Sequence, residues 1–204
     1  MKTKIMSIVA AVSITSLTSC STYFQAVNID PRTGYLPTAQ NQSAGVAKAS
    51  VLLNQKVNFD LYGGRMLVSG GAFFQQEMSD IGAFSDVMTN EDLQKRIIAA
   101  GLQDKVPSVS DLIGLNKAYR YYKAFLWTHF EFKDNNGNHY VRMIVTDPGN
   151  AQDLFEASAS LCGAPVCEDD QHIWYPLFNS FIDWVRANGG IIKTTTMAPP
   201  KAEQ

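Results

Sequence analysis

The sequence predicts an α+β domain. Its core is a mainly antiparallel sheet, a three-stranded meander plus one earlier strand, covered by about three helices. Three observations predict this. Residues 125–146 place two strand-like runs around a cluster of turn formers. Capping residues stand directly before two runs of helical spacing, at 89–102 and 108–122. A third run, 176–188, is so apolar along one face that it needs a sheet to cover it, as packed layers of secondary structure require.

Arg65-Met66-Leu67-Val68-Ser69 reads as a short buried strand stopped by Gly70-Gly71. Thr89 is placed to cap a helix that runs to Leu102. Glu91 and Asp92 fall in its positively polarised first turn, and Gly101 lies near its end. Leu93, Ile97, Ile98 and Leu102 form its apolar face. Pro107 breaks the chain. Ser108-Val109-Ser110-Asp111 then fits a capping box, with Asp in place of the usual Glu, and opens a second helix to about Tyr122.

Phe125-Leu126-Trp127-Thr128-His129-Phe130-Glu131-Phe132 is the most strand-like stretch, with Leu126, Thr128, Phe130 and Phe132 on one face. Asp134-Asn135-Asn136-Gly137-Asn138 is a turn. Residues 140–146 return as a strand with Val141, Met143 and Val145 on one side, and Asp147-Pro148-Gly149-Asn150 turns again. Residues 154–160 complete the meander; a short helix over 151–157 is the competing reading. Pro176 suits the first turn of a last helix. Leu177, Phe178, Phe181, Ile182, Trp184 and Val185 repeat along it, and Asn188-Gly189-Gly190 ends it.

The beginning of the chain carries a different signal. Lys2 and Lys4 precede an apolar stretch over 5–17, closed by Leu17-Thr18-Ser19-Cys20. The stretch is shorter than the roughly 20 apolar residues of a spanning helix and has the order of a secretory signal. Leu-Thr-Ser-Cys resembles the lipobox of bacterial lipoproteins, in which the cysteine is acylated and becomes the new N-terminus. That resemblance implies a signal peptide over 1–19 and a palmitate-type lipid anchor on Cys20. With Ser21 rather than Asp after the cysteine, it also implies, for a Gram-negative source, the outer membrane, facing the periplasm. Several acyl chains, at about 0.8 kcal/mol per buried CH₂, hold a domain stably on a bilayer. An ordinary signal peptide followed by a disulfide cysteine is the alternative.

Loss of 1–19 removes Lys2 and Lys4 and leaves 15 basic against 19 acidic side chains, a net charge of −4. That balance argues against nucleic acid as a partner, which calls for a basic face. Residues 20–49, rich in Ser, Thr, Gln, Asn and Ala, read as a lipidated flexible tether that buries no core face. Residues 50–192 form the single domain, and 193–204 a disordered tail.

Cys162 and Cys167 lie in Cys-Gly-Ala-Pro-Val-Cys. In an oxidising periplasm a local disulfide is the plain reading. Free thiols, or a metal site with His172, are the other two. No Gly-x-Ser-x-Gly elbow, phosphate-binding Gly-x4-Gly-Lys-[Ser/Thr] loop or His-Glu-x-x-His motif occurs, and no cofactor is expected. With a turn centred near Asp134, His129 and His139 pair across the hairpin on its wet side. Asp147 suits an Asp-Pro turn and also a catalytic acid. The aromatic residues from Tyr119 to Phe132 read as core, with a ligand groove as the alternative. Tyr121 falls on the helix face opposite Tyr119 and Tyr122. With Trp174 and Tyr175 it is the candidate contact surface, since Tyr and Trp are enriched at interfaces.

Residues 142–160 read as strand, Asp-centred turn and strand, and a closing helix follows over 174–188. With the earlier strand and the helix over 89–102, this order resembles small periplasmic lipoproteins related to the curli-secretion-channel subunit and to activators of penicillin-binding proteins. The resemblance implies a role by assembly and contact, with no catalytic residues. The expectation is therefore a membrane-anchored periplasmic lipoprotein, not an enzyme, that binds other envelope proteins or itself. Two alternatives stand beside it: a small envelope hydrolase using His129, His139 or His172 with Asp147 or Asp170, and a small-ligand carrier.

Overall fold

The computed structural model describes residues 27–38, 46–135, 137–161 and 170–193. The signal peptide, Cys20, Cys162, Cys167 and the end of the tail lie outside the described residues. The domain is α+β. Ten elements follow in order: β1 (Ser50–Asn54), β2 (Arg65–Val68), α1 (Ala72–Ile81), β3 (Asp86–Met88), α2 (Asn90–Ala99), α3 (Leu112–Tyr121), β4 (Leu126–Asn135), β5 (Asn138–Asp147), β6 (Gln152–Ser160) and α4 (Tyr175–Ala187). A 3₁₀ turn, Phe59–Tyr62, precedes β2, and a π-helical turn, Asp170–Trp174, leads into α4.

The six strands lie in the order β1-β6-β5-β4-β2-β3. The meander β4-β5-β6 and the pair β1-β6 are antiparallel, while β2 runs parallel to both β3 and β4. Residues 152–160 are strand, which removes the competing helix over 151–157. The expected meander and early strand are therefore present, joined by β1 and β3. An unexpected helix, α1, links β2 to β3. Its first turn has no side-chain cap, and its core-facing side includes the fully buried Glu77 beside Met78 and Ile81. Neither feature marks a helix in sequence.

Register follows from the turn. Gly137 has φ +81°, and its N–H donates to Asp134 Oδ1 at 3.0 Å. The hairpin therefore closes on Asn135 opposite Asn138, not about Asp134. His129 faces Ile144 and His139 faces Asp134. The expected His129–His139 pair does not form, because an odd shift in register sends one side chain of the pair to the other face. His139 falls on the side of Val141, Met143 and Val145, and His129 on that of Trp127 and Glu131.

Phe130, Met143, Phe155 and Ala157 of one sheet face pack against Phe178, Phe181 and Trp184 of α4. On the other face, α2 and α3 cover only the β2-β3-β4 end, around Leu67, Met88, Leu93, Leu115 and Phe125. Thr89 caps α2 in a complete capping box with Asp92. The second helix begins later than expected. Asp111, not Ser108, is its cap: Asp111 Oδ1 accepts from Gly114 N at 2.7 Å, while Ser108 Oγ is engaged with Ser110.

The residues just before β1 correct a further expectation. Ile29, Leu36 and Ala47 are buried, so parts of the segment read as a tether pack on the domain. Asn179, fully buried on α4, accepts from Leu36 N at 2.8 Å and donates to Leu36 O and Ala47 O at 3.1 and 3.2 Å. Ser180 donates to Ala49 O. A polar residue in a core helix is stable only when its amide is used this fully.

Candidate functional site

The face of α3 that points away from the sheet brings together the features expected of a contact surface. Its inner side is fixed. Gly114, Leu115 and Ala118 are buried. Gly114 is needed because a Cβ there would lie 2.2 Å from Ser108 O. Asn116 Nδ2 donates to Pro148 O and Gly149 O at 2.6 and 2.9 Å, which ties the helix to the turn after β5.

The outer side is open. Ile113 is 72% exposed and Tyr121 53%. Lys117 and Arg120 stand between them at helical spacing and are exposed. Lys105 Nζ lies 5.3 Å from the centre of the Tyr121 ring, and Lys123 Nζ 5.3 Å from that of Tyr122. Such contacts contribute about 0.5–1 kcal/mol at exposed sites. Among the described residues Lys105, Lys117, Arg120 and Lys123 form no ion pair. Elsewhere Lys48, Lys95, Arg96, Lys133 and Arg142 each meet a carboxylate. The cationic group was not singled out from sequence. Its signal is there: residues 105–123 hold these four cations and one carboxylate, Asp111, in a chain of net negative charge.

Tyr121 is thus exposed as expected, but its two companions are not. Trp174 is 6% exposed and Tyr175 4%. The Trp174 ring packs on Phe74 at 4.7 Å and Phe130 at 5.6 Å. Trp174 closes the π-helical turn and Tyr175 opens α4, both buried, so neither belongs to a surface with Tyr121.

The residues proposed for catalysis are scattered. His129 stacks on Trp127 at 3.9 Å, and its Nδ1 is buried without a hydrogen-bond partner among the described residues. Burial holds its pKa below the ordinary value of 6.5, against the pull of Asp153 and Glu131. His139 Nδ1 lies 3.6 Å from Asp134 Oδ2 at the exposed hairpin tip. His172 is exposed at the start of the last helical segment. Asp147 is engaged in its turn: Oδ1 accepts from Gly149 N at 2.7 Å and Oδ2 from Tyr62 Oη at 3.1 Å. Burial, then the Asp147 charge, raises the Tyr62 pKa. Next to His129, Arg142 bridges Glu156 and Glu131 across the open sheet face, a network that only the register reveals. No group of three or more His, Cys, Asp or Glu suited to a metal ion occurs among the described residues.

One concavity of about 430 Å³ lies where β2 runs into α1 and β3 into α2, lined by Gly70, Gly71, Gln75, Asn90, Glu91 and Asp92 among others. It is open to solvent and lacks the aromatic lining expected of a carrier. No described helix is long and apolar enough to cross a membrane.

No protein-family model and no curated protein sequence matches the chain. Two solved structures share weak likeness. The LpoB C-terminal domain from Escherichia coli is 11% identical, with 61% of this chain and 87% of that chain covered and a TM-score of 0.27. A PelC dodecamer from Paraburkholderia phytofirmans, solved as a point variant, is 14% identical, with 58% and 77% covered and a TM-score of 0.20. At these TM-scores neither likeness carries an argument about function.

Proposed function

We propose that this chain is an envelope lipoprotein that works by contact rather than by catalysis. Acyl chains on Cys20 hold it to the outer membrane on the periplasmic side, and the outer face of α3 meets another envelope protein. The observation that carries this reading is the pairing of an exposed Tyr121 and Ile113 with a rigidly held helix. A preorganised aromatic side chain loses little freedom on binding, and Tyr and Arg dominate the anchors of known interfaces. The surroundings of His129 and His139 support it as well. A hydrolase of the kind considered needs a histidine within about 3.2 Å of an orienting carboxylate in a cleft. Neither His129 nor His139 has one, and Asp147 is held by its turn.

The test is photo-crosslinking in intact cells from position 113, on the same helix face as Tyr121, with the comparably exposed position 61 as control. Adducts with envelope proteins are expected from 113 alone and only while Cys20 is present. Equal yields from both positions would remove α3 from the reading. The two cysteines of the 162–167 loop are proposed to form a local disulfide. Alkylation of the unfolded, unreduced chain at both thiols would refute it.

A further inference from the structure

We propose that the surface docking on α3 is an acidic protein surface, one that sets a cluster of carboxylates around a contact for Tyr121. This rests on the contact reading above and adds the chemistry of the partner. Four cations, Lys105, Lys117, Arg120 and Lys123, are left without a carboxylate in a fold that pairs most of its other cations. α3 has ten residues and is therefore about 15 Å long. That is less than two Debye lengths of about 8–10 Å at physiological salt, so its charges act on a partner as one group. The net negative charge of the rest of the chain is screened beyond that range.

The occupant is a protein rather than a bilayer because the face offers little to insert. Ile113 and Tyr121 are its only strongly exposed large apolar side chains, and one side of the Tyr121 ring already carries the Lys105 ammonium. A second copy of the chain fits poorly. Among its described carboxylates Asp86, Glu91, Glu156 and Asp183 are in use by Arg96, Lys95, Arg142 and Lys48, and the exposed Asp60 and Asp104, which have no ion pair, lie in separate segments of the chain rather than as one cluster. Complementary charge on a partner raises association rates and excludes wrong partners more than it adds affinity.

Two readouts separate this inference from the reading beneath it. In cells, the crosslink from position 113 is compared with and without Lys117→Glu and Arg120→Glu together. In solution, the full chain carrying Cys20→Ala is titrated with a fluorescent alternating Glu-Tyr peptide and with phosphatidylglycerol-rich vesicles, and its self-association is followed by sedimentation. The acidic peptide is expected to bind and to weaken at least about tenfold between about 50 and about 300 mM salt. The double reversal should abolish both that binding and the crosslink. Lys117→Gln with Arg120→Gln should weaken both, and unchanged melting shows that each variant is folded. A crosslink that survives reversal would overturn the acidic partner and leave the contact reading standing. Binding of vesicles but not of the peptide, or self-association lost on reversal, would overturn it in favour of a bilayer or a second copy. Absence of any crosslink from 113 would instead sink the contact reading itself.

Discussion

α3 and α4 are both amphipathic helices beside the same sheet, yet they spend their residues differently. Of the thirteen residues of α4, ten are buried, and even its polar Asn179 and Ser180 hold backbone from the segment before β1. Of the ten residues of α3, only Gly114, Leu115 and Ala118 are buried. Its open side presents cations and a tyrosine to solvent. α4 is tuned for stability, because nearly every side chain removes apolar area from water or closes a hydrogen bond. α3 is held by its cap, its glycine and Asn116 rather than by a broad apolar stripe, which leaves much of its surface free for another molecule.

The sharpest way to break that comparison is through α4. Phe181 and Trp184 are essentially fully buried, and their rings pack on Phe155 at 6.1 and 5.3 Å. Phe181→Ala and Trp184→Ala are each expected to cost about 3–5 kcal/mol, a large share of a domain's usual stability. Denaturant melting reads this directly. Losses below about 0.5 kcal/mol, ordinary for surface sites, would mean that α4 is not the core helix.

α4 was legible because six large apolar residues at helical spacing outweigh every other signal in a short window. The segment before β1 that it holds was not. Burial of Leu36 depends on an amide 143 positions away along the chain, and nothing local marks it. α1 was hidden by Glu77 on its inner side and by a glycine cap. The histidine pairing failed at the turn, since any odd change in register moves a side chain to the opposite face. Tyr121 was legible from helix-face arithmetic. Trp174 and Tyr175 were misplaced because the preference of Tyr and Trp for interfaces was set above their position at the head of the apolar stripe of α4, which buries both.

A second test bears on how α3 is held. Gly→Ala in a helix interior ordinarily gains about 0.5–1 kcal/mol. At Gly114 the new Cβ would meet Ser108 O at 2.2 Å, so Gly114→Ala is expected to cost about 1–3 kcal/mol, as overpacking does. A gain in melting temperature would show that α3 does not rest on residue 108.

A third effect appears only in acid and concerns the sheet face that α3 leaves open. His129 is half-buried beside Trp127, with its Nδ1 shut off from solvent, and its folded-state pKa lies below the ordinary 6.5. Below that value the unfolded chain takes up a proton that the folded ring resists, so stability falls as pH drops through and below 6.5. His129→Gln should flatten this slope. Identical pH profiles for the two proteins, measured by denaturant midpoints between about pH 7 and 5, would show that the ring is hydrated in solution.

The smallest expected change in stability is also the most informative, because it isolates surface from core. Tyr121→Ala removes an exposed ring and one contact with Lys105, worth at most about 0.5–1 kcal/mol. Lys117→Gln removes an exposed charge with no ion partner, and should fall within about 0.5 kcal/mol of the unaltered chain. Arg120 is different in one respect. It stands in the last turn of α3, where a cation favours the helix dipole by about 0.3–1 kcal/mol. If these cations served only the helix, Arg120→Gln would lower the melting point more than Lys117→Gln, and neither would change crosslinking from position 113. If they serve a partner, both should reduce crosslinking alike while the melting curves stay close together, and Tyr121→Ala should reduce it further. A set of variants in which crosslinking follows melting temperature would return α3 to the same structural role as α4.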